Sequence, residues 1–471
     1  MAGSINLSPG VELTPSSVQQ ALQTNYISEF DYLNQYLPET DKNEFEGYGN
    51  RTITGFLRNV GTAEIPFASD LIKWAEQGRL HTKYTGCIPN DAATSLTATF
   101  LMGGTDVCNF RVNQVVFLSS ESTSASAKGL VTAVASNGSD FTVAFYASTG
   151  SPFAITTELV TAFVYGSEFA KGTDGMRGSL TPEPKIFDVK PVIIKDRYEI
   201  SGSDMSQIGW IEATSENGAN GFLWYIKAEA ETRLRFDDQL EMMSVEHIEA
   251  EVGSDALAAL TTGYTIAGTP AAGSQGLFAA IEERGNVWAG GNPTTLGDFD
   301  TIVERLDGQG SIAENTLFVN RAFSLDVDDM LGAQSTATGT SYGMFDNDKD
   351  MALNLGFTGF RRGSYDFYKS DWKYLNDATL RGGLVGGGVN GVLVPAGTTT
   401  VYDQVLGQNA TRPFLHVRYR MANKENRKLK TWVTGSAGGA SNNSFDAMFI
   451  DYLSERALCT LGAQNFFKFN A

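Results

Sequence analysis

Between Pro184 and Glu251 an extended segment feeds a long stretch free of helix breakers, and this pairing constrains the fold more than any other feature of the chain. The run from Val189 to Gly202, with Pro191-Val192-Ile193-Ile194 and Tyr198-Glu199-Ile200-Ser201-Gly202, reads as extended chain entering a turn. After it, roughly thirty residues from Asn220 to Glu251 contain no Gly or Pro beyond Gly221, and Asn220 is an N-capping type. Leu223, Ile226, Ala230 and Leu234, then Phe236, Leu240 and Met243, recur every three or four residues and make a drifting apolar stripe. Glu229, Glu231, Asp237, Asp238 and Glu241 cover much of the opposite face. At ~1.5 Å per residue the helix would span roughly 45 Å, which requires a large body or a neighbouring chain to lie against.

A chain of 471 residues exceeds one compact core, and two to four domains are expected. The net charge of −19 argues against sequence-independent nucleic-acid binding by the whole surface, because that binding needs Lys and Arg to neutralise phosphates. Met1 to Asn6 lacks the basic and apolar regions of a secretory signal, and no apolar run reaches the ~18 residues of a membrane span. Cys87, Cys108 and Cys459 match no metal spacing; a Cys87–Cys108 bridge and free thiols in a reducing compartment are both open.

Residues 1 to about 63 read as a polar arm with scattered aromatics that packs on other copies. A short helix is expected next, with Ser69 and Asp70 as caps, Leu71, Trp74 and Ala75 on one face and Gly78 as its stop. From about Tyr84 to Gly175 the period changes to two. Ser95–Met102, Phe110–Leu118, Lys128–Ser136, Phe141–Ala147 and Glu158–Tyr165 predict a small antiparallel barrel or sandwich inserted in a larger body. From Gly253 to Pro395 helices are expected over Ser274–Arg284 and Thr295–Leu306, ended by Gly285 and Gly308. A buried strand at Thr316–Val319 follows, then a helix capped by Asn320, a glycine loop over Arg381–Gly391 and a strand to Val394. A strand over Phe414–Met421, a final helix from Ser444 that buries Phe445, Met448, Phe449 and Tyr452, and a strand over Gln464–Phe469 close the chain. No internal repeat of fixed period is present.

Catalytic chemistry finds little support. His81, His247 and His416 are far apart and match no metal or acid–base arrangement. Asp346-Asn347-Asp348-Lys349-Asp350 begins like a calcium loop, but Met351 stands where the loop needs Gly and Phe357 where it needs Glu. Gly386-x-Gly388-x-x-Gly391 fits a dinucleotide fingerprint only formally, because strand-like Val392–Pro395 follows where a helix must hold the pyrophosphate. No catalytic, cofactor-binding or metal-binding residue is assigned, and a non-enzymatic chain without cofactors is expected.

The main basic stretch holds Arg412, Arg418, Arg420, Lys424, Arg427, Lys428 and Lys430 against Glu425 alone, with Arg418 and Arg420 on one strand face. It reads as a solvated face, as a surface pairing with acids of neighbouring subunits, or as a contact to packaged DNA. Arginine's fixed fork suits carboxylates, so Arg412, Arg418, Arg420, Arg427, Lys428 and Lys430 are taken as candidate intersubunit cations, with Glu229, Glu231, Asp237 and Asp238 as candidate acids.

Taken in order, the segments resemble the major capsid proteins of tailed bacteriophages, including crAss-like and large contractile lineages. Tyr198-Glu199-Ile200-Ser201-Gly202 resembles the return strand of their extended loop, and Gly221–Glu251 their spine helix. Asp298–Leu306 with Asn315-Thr316-Leu317-Phe318-Val319-Asn320-Arg321, and Gly359–Tyr368, resemble elements of the apical domain. The resemblance covers about Pro184 to the C-terminus. It implies an α+β fold with an N-terminal arm and short helix over 1–83 and an inserted β domain over 84–175. A peripheral domain with the spine helix over 176–252, an α/β apical domain over 253–411 and a return to the peripheral domain over 412–471 would complete it. It also implies homo-hexamers and pentamers in an icosahedral head enclosing double-stranded DNA, a virion component assembled in the host bacterial cytoplasm. Portal and auxiliary head proteins are implied partners, no membrane is involved, and the retained Met1 leads us to expect an uncleaved N-terminus with a separate scaffolding protein. Ser8-Pro9-Gly10-Val11-Glu12-Leu13 resembles the opening of contractile-tail sheath proteins, so a tail sheath or another virion structural protein is the alternative reading, with a surface adhesin suggested by the β-rich insert and an enzyme behind it.

Overall fold

The structure is a computed structural model that describes residues 6–8, 11–12, 52–60, 63–103, 107–180, 184–206, 213–214, 220–221, 224–251, 253–256, 265–266, 269–270, 272–310, 312–337, 358–384, 386–396, 398–403, 408–422, 425–439 and 442–471. The expectations for the arm before Thr52, for Asp346–Asp350 and for Leu223 and Lys424 fall outside these residues, apart from two short paired strands, Asn6–Ser8 and Val11–Glu12.

The chain enters the body at helix α1 (Phe56–Asn59) and strand β1 (Ala63–Phe67). The helix expected near Ser69 is instead strand β2 (Ile72–Glu76), in which Ile72, Trp74 and Glu76 alternate with more exposed Lys73 and Ala75. Its partner is β9 (Lys185–Val189), aligned from Glu76↔Lys185 to Ile72↔Val189, and this long-range pairing overrides the local capping signals.

Between these two strands lies the barrel. Strands β3 (Lys83–Pro89), β4 (Thr97–Leu101), β5 (Gln114–Ser120), β6 (Ser126–Val134), β7 (Asp140–Phe145) and β8 (Val160–Ser167) close in the order β8-β3-β4-β7-β6-β5. Side chains fill its interior, as a barrel this small requires: Phe141 stacks on Phe100 at 5.4 Å and meets Phe110 edge-on at 4.7 Å. Gly150, at φ +75°, has no room for a Cβ, which would lie 2.2 Å from the carbonyl oxygen of Thr94. Cys87 and Cys108 are buried free thiols in this core, and burial pushes Cys87 up to about 12.

After β9 the chain continues as β10 (Val192–Ser201), turns through α2 (Gly202–Met205) and enters the long helix α3 (Trp224–Glu246). The helix has 23 residues, fewer than expected. Asn220 pairs as strand with Thr214 and so does not cap it. At the other end His247 leaves the helix because its carbonyl accepts the Gly276 N–H at 2.7 Å and its Nδ1 accepts the Ser274 N–H at 2.8 Å. Phe236 and Leu240 point into the body, Phe236 lying 5.7 Å from Tyr452.

The α/β part comes next as α4 (Leu277–Arg284), β11 (Asn286–Trp288), α5 (Leu296–Gln309), β12 (Glu314–Val319) and α6 (Arg321–Ala337), then β13 (Gly359–Arg362), β14 (Tyr365–Asp371), α7 (Lys373–Asn376) and β15 (Val389–Pro395). Thr295 and Asp298 form a reciprocal capping box on α5. Gly308 sits inside α5, and the helix ends at Gly310 in the left-handed conformation (φ +69°). Asn320 caps α6 through Oδ1, which accepts the Phe323 N–H at 2.8 Å. The expected glycine loop is only partly loop, since Arg381–Gly383 is a 3-10 turn and β15 begins at Val389.

The last elements are β16 (Leu415–Ala422), β17 (Lys430–Gly435), β18 (Ala447–Thr460) and β19 (Phe467–Asn470). The expected helix at Ser444 is therefore wrong. Its apolar run is the 14-residue central strand β18, flanked by β10 and by β16 and β17 and buried on both faces, so helical and strand periodicities cannot be told apart there. β1 joins this sheet parallel to β16. A second six-stranded sheet runs β11-β19-β15-β12-β14-β13. Leu317, Val319 and Leu393 face α5 and α6 on one side of it, and Phe318, Val392 and Val394 face α1, α4 and α7 on the other.

Candidate intersubunit surface

The acidic face of α3 holds the chain's own entering segment. Asp238 Oδ1 accepts the N–H groups of Ile53 and Thr54, both at 3.1 Å, and the Thr54 hydroxyl at 2.9 Å. One turn on, Glu241 accepts the Gly55 and Phe56 N–H groups at 2.9 Å each, which satisfies donors at the start of α1. Burial raises the Glu241 pKa, and these backbone donors pull against it. From the other side Lys373 Nζ donates to the Thr52 carbonyl at 2.8 Å. Phe56 is thereby set into the core, stacked 4.1 Å from Trp372 and edge-on to Phe318 at 4.8 Å.

The other predicted acids of α3 pair along the helix: Glu231 with Lys227 at 3.9 Å and Asp237 with Arg233 at 3.8 Å. Burial raises both Glu229 and Asp237, with Arg233 opposing in each case. Desolvation lowers the pKa of half-buried Arg456, with Glu64 and Asp237 opposing.

The basic stretch is largely matched within the same chain. Glu455, its side chain 4% exposed, takes Arg420 Nη1 on one oxygen and Arg427 Nε on the other, each at 2.7 Å. Arg420 also pairs with Asp70, and Lys428 pairs with Glu64. Glu425 takes Lys430 at 2.7 Å and Arg427 at 3.5 Å, and Lys430 above all holds its pKa down. Nearby, Arg197 lies over the Phe449 ring and pairs with Asp451 at 2.6 Å. Arg418 is half-buried on the same strand as Arg420. Arg412 lies in the strand Gln408–Pro413, and its side chain is outside the described residues. The structure thus brings Arg420, Arg427, Lys428 and Lys430 together on β16, β17 and their connection, but not against Glu229, Glu231, Asp237 or Asp238. Their partners in the subunit are Glu455, Asp70, Glu64 and Glu425.

Sequence reasoning misses Glu455. Its signal is two adjacent charges, Glu455-Arg456, inside a long apolar run, where a charge survives only if paired. It also misses Arg284, which lies over the rings of Trp74 (5.6 Å) and Phe187 (4.4 Å) and ties α4 to the β2–β9 ribbon. Beside Arg284, Glu76 accepts the Trp74 indole N–H at 2.7 Å and the Gly462 N–H at 3.0 Å. The ribbon that carries the barrel is therefore fastened to the body at the end nearest the barrel.

A cleft of about 760 Å³ opens between the end of α3, α7 and β19. Its charges are satisfied in pairs: Glu246 takes Arg381 at 2.5 and 2.6 Å and the Tyr374 hydroxyl at 2.7 Å, and Lys468 pairs with Glu282. Among the described residues no group of three or more His, Cys, Asp or Glu could hold a metal, and no helix is long and apolar enough to cross a membrane.

No family model and no curated protein matches the chain. Solved structures that overlap most of it include a chain of Microbacterium phage Oxtober96 (10% identity, TM-score 0.38, covering 94% of this chain and 99% of that one). Others are a chain of Mycobacterium phage Bobi (8%, 0.36, 94% and 98%) and the capsid of an empty GTA particle computed with C5 symmetry (9%, 0.35, 96% and 99%). Overlaps of this depth carry no argument by themselves, and the functional reading rests on the chain's own geometry.

Proposed function

We propose that this chain is the major capsid protein of a tailed double-stranded-DNA phage, forming the hexamers and pentamers of an icosahedral head. The observation that carries the reading is the return of the chain's last long strand to its extended segment. β18 pairs with all ten residues of β10, from Val192↔Arg456 to Ser201↔Ala447. α3 packs over that pair, the α/β sheet lies between them in sequence, and a two-stranded ribbon carries the barrel. That order is the one the resemblance implies: extended loop, return strand, spine helix, α/β unit and return.

The design suits a shell wall. The body is closed internally by Glu455 and the Asp238–Glu241 clamp, and the ribbon holds the barrel against its own body, which leaves contact with adjacent copies to the subunit's outer surfaces and to the arm expected from the sequence. In this reading a separate scaffolding protein and a portal assist assembly, and the product is a virion component made in the bacterial cytoplasm. The domain division expected from the sequence is kept except that Phe467–Asn470 belongs with the α/β sheet and Ala63–Phe67 with the sheet of β18. The matched cations on β16 and β17 then act between copies only by exchanging an internal partner for an external one. Sedimentation velocity of the purified chain, alone and co-expressed with candidate scaffolding genes, tests the reading. Rings of five and six copies or shell-sized particles are expected, and a small oligomer under both conditions would contradict it.

A further inference from the structure

The outer face of the barrel carries an exposed aromatic cluster that lies outside the candidate intersubunit residues. Alternation along β8 sends Val160 and Ala162 inward and Phe163 and Tyr165 outward, where they are 38% and 51% exposed. In register with Phe163 stand Lys83 of β3 and Phe117 of β5, the Phe117 ring 5.4 Å from its own, and Lys128 of β6 stands opposite Phe117. Lys128 Nζ lies 5.9 Å from the centre of the Tyr165 ring. Tyr146, 53% exposed, donates its N–H to the Lys128 carbonyl at 3.2 Å and its hydroxyl to the Glu168 carboxylate. The Glu168 hydrogen bond is the main reason the Tyr146 phenol is pushed up to about 12, and Tyr165 is close enough to add to the shift.

Two properties choose the partner. From Lys83 to Glu168 the chain has nine charged residues in 86, three basic and six acidic, too sparse a set of mixed sign to hold a polyelectrolyte. Three rings of about 200 Å², each about half exposed, offer roughly 300 Å², well below the ~800 Å² per side of a stable protein interface. That area fits one sugar ring. Aromatic faces beside an ammonium donor, a carboxylate acceptor and two phenol hydroxyls provide stacking for a C–H face and hydrogen bonds for neighbouring hydroxyls.

We propose that the outer face of the barrel around Tyr165, Tyr146, Lys128 and Glu168 binds a pyranose ring of a carbohydrate. The inference is independent of the shell reading. The test presents the full chain to a printed panel of short neutral gluco-, manno-, galacto- and N-acetylglucosamine oligosaccharides, then titrates the strongest binder. Tyr165→Ala and Lys128→Ala should each weaken binding tenfold or more, while Tyr165→Phe keeps most of it; unchanged thermal melts show that the barrel is intact. The proposal is overturned if the wild-type chain binds no sugar on the panel, or if binding is unchanged in Tyr165→Ala and Lys128→Ala. It is equally overturned if those variants lose self-association while the wild type binds no sugar, which makes the face a contact between copies. Sedimentation of the same samples reports the shell reading separately.

Discussion

The barrel and the body solve the same burial problem in opposite ways. Every strand of the barrel pairs with another from within residues 83–167, so its core closes without help from the rest of the chain. The body is stitched from distant pieces: β10 against β18, β1 beside β16, and β19 between β11 and β15. Even its side-chain ties are long, as between Arg197 and Asp451 or Asp238 and Ile53. A unit closed locally can ride on a two-stranded ribbon, whereas a unit closed by its own ends depends on every end being in place.

The sharpest way to break this comparison is truncation. Ile53, Phe56 and Leu57 belong to the body's core, so the reading of residues 1 to about 63 as an arm that packs on other copies is corrected for this part of the segment, which closes the subunit itself. Removing 1–60 should abolish the body's cooperative unfolding transition while a barrel transition survives, and removing 1–51 should leave both. Calorimetry of the two truncated chains decides this, and a normal melt for the longer deletion would sink the account of the clamp.

Point changes sharpen the same contrast. Phe141→Ala should cost about 3–5 kcal/mol and lower only the barrel's transition in urea. Glu455→Ala should cost the body about 3 kcal/mol, because it leaves Arg420 and Arg427 facing each other without their buried carboxylate. A single merged transition in both variants would show that barrel and body do not unfold separately.

The smallest expected effects lie at the helix caps. Thr295→Ala should remove about 1 kcal/mol from the body through the lost capping box. Glu241→Gln should alter mainly the pH dependence. Burial raises the Glu241 pKa above its unfolded value, so its ionisation opposes folding. Wild-type stability relative to Glu241→Gln should therefore rise as pH falls through the window just above the ordinary carboxylate range. A stability difference flat in pH, measured by denaturant titration, would mean that Glu241 titrates the same way folded and unfolded.

The contrast also explains what can be read from the residues. The barrel strands are legible because their alternation, as in Phe141-Thr142-Val143, and the turns between them are local signals. Helix α5 is legible for the same reason, through Thr295 and Asp298, although its end lies one glycine beyond the expected stop. The segments at 72–76 and 447–460 read as helices because nothing nearby in sequence says that Lys185–Val189 and Val192–Ser201 will pair with them. A strand buried on both faces loses the period that would identify it. At the candidate surface the residue types are visible, but their partners are not. The cations of β16 and β17 look unmatched beside Glu425 alone, and only the fold brings Glu455, Asp70 and Glu64 to them. Likewise Asp238 looks like a surface acid until residues 52–56 are laid across it.

Electron microscopy of the purified full-length chain, co-expressed with candidate scaffolding genes, tests the central claim most directly. The account predicts closed shells with five- and six-fold clusters of subunits, the barrels visible as separate lobes. Helical tubes of stacked rings, the geometry of a tail sheath, would contradict it.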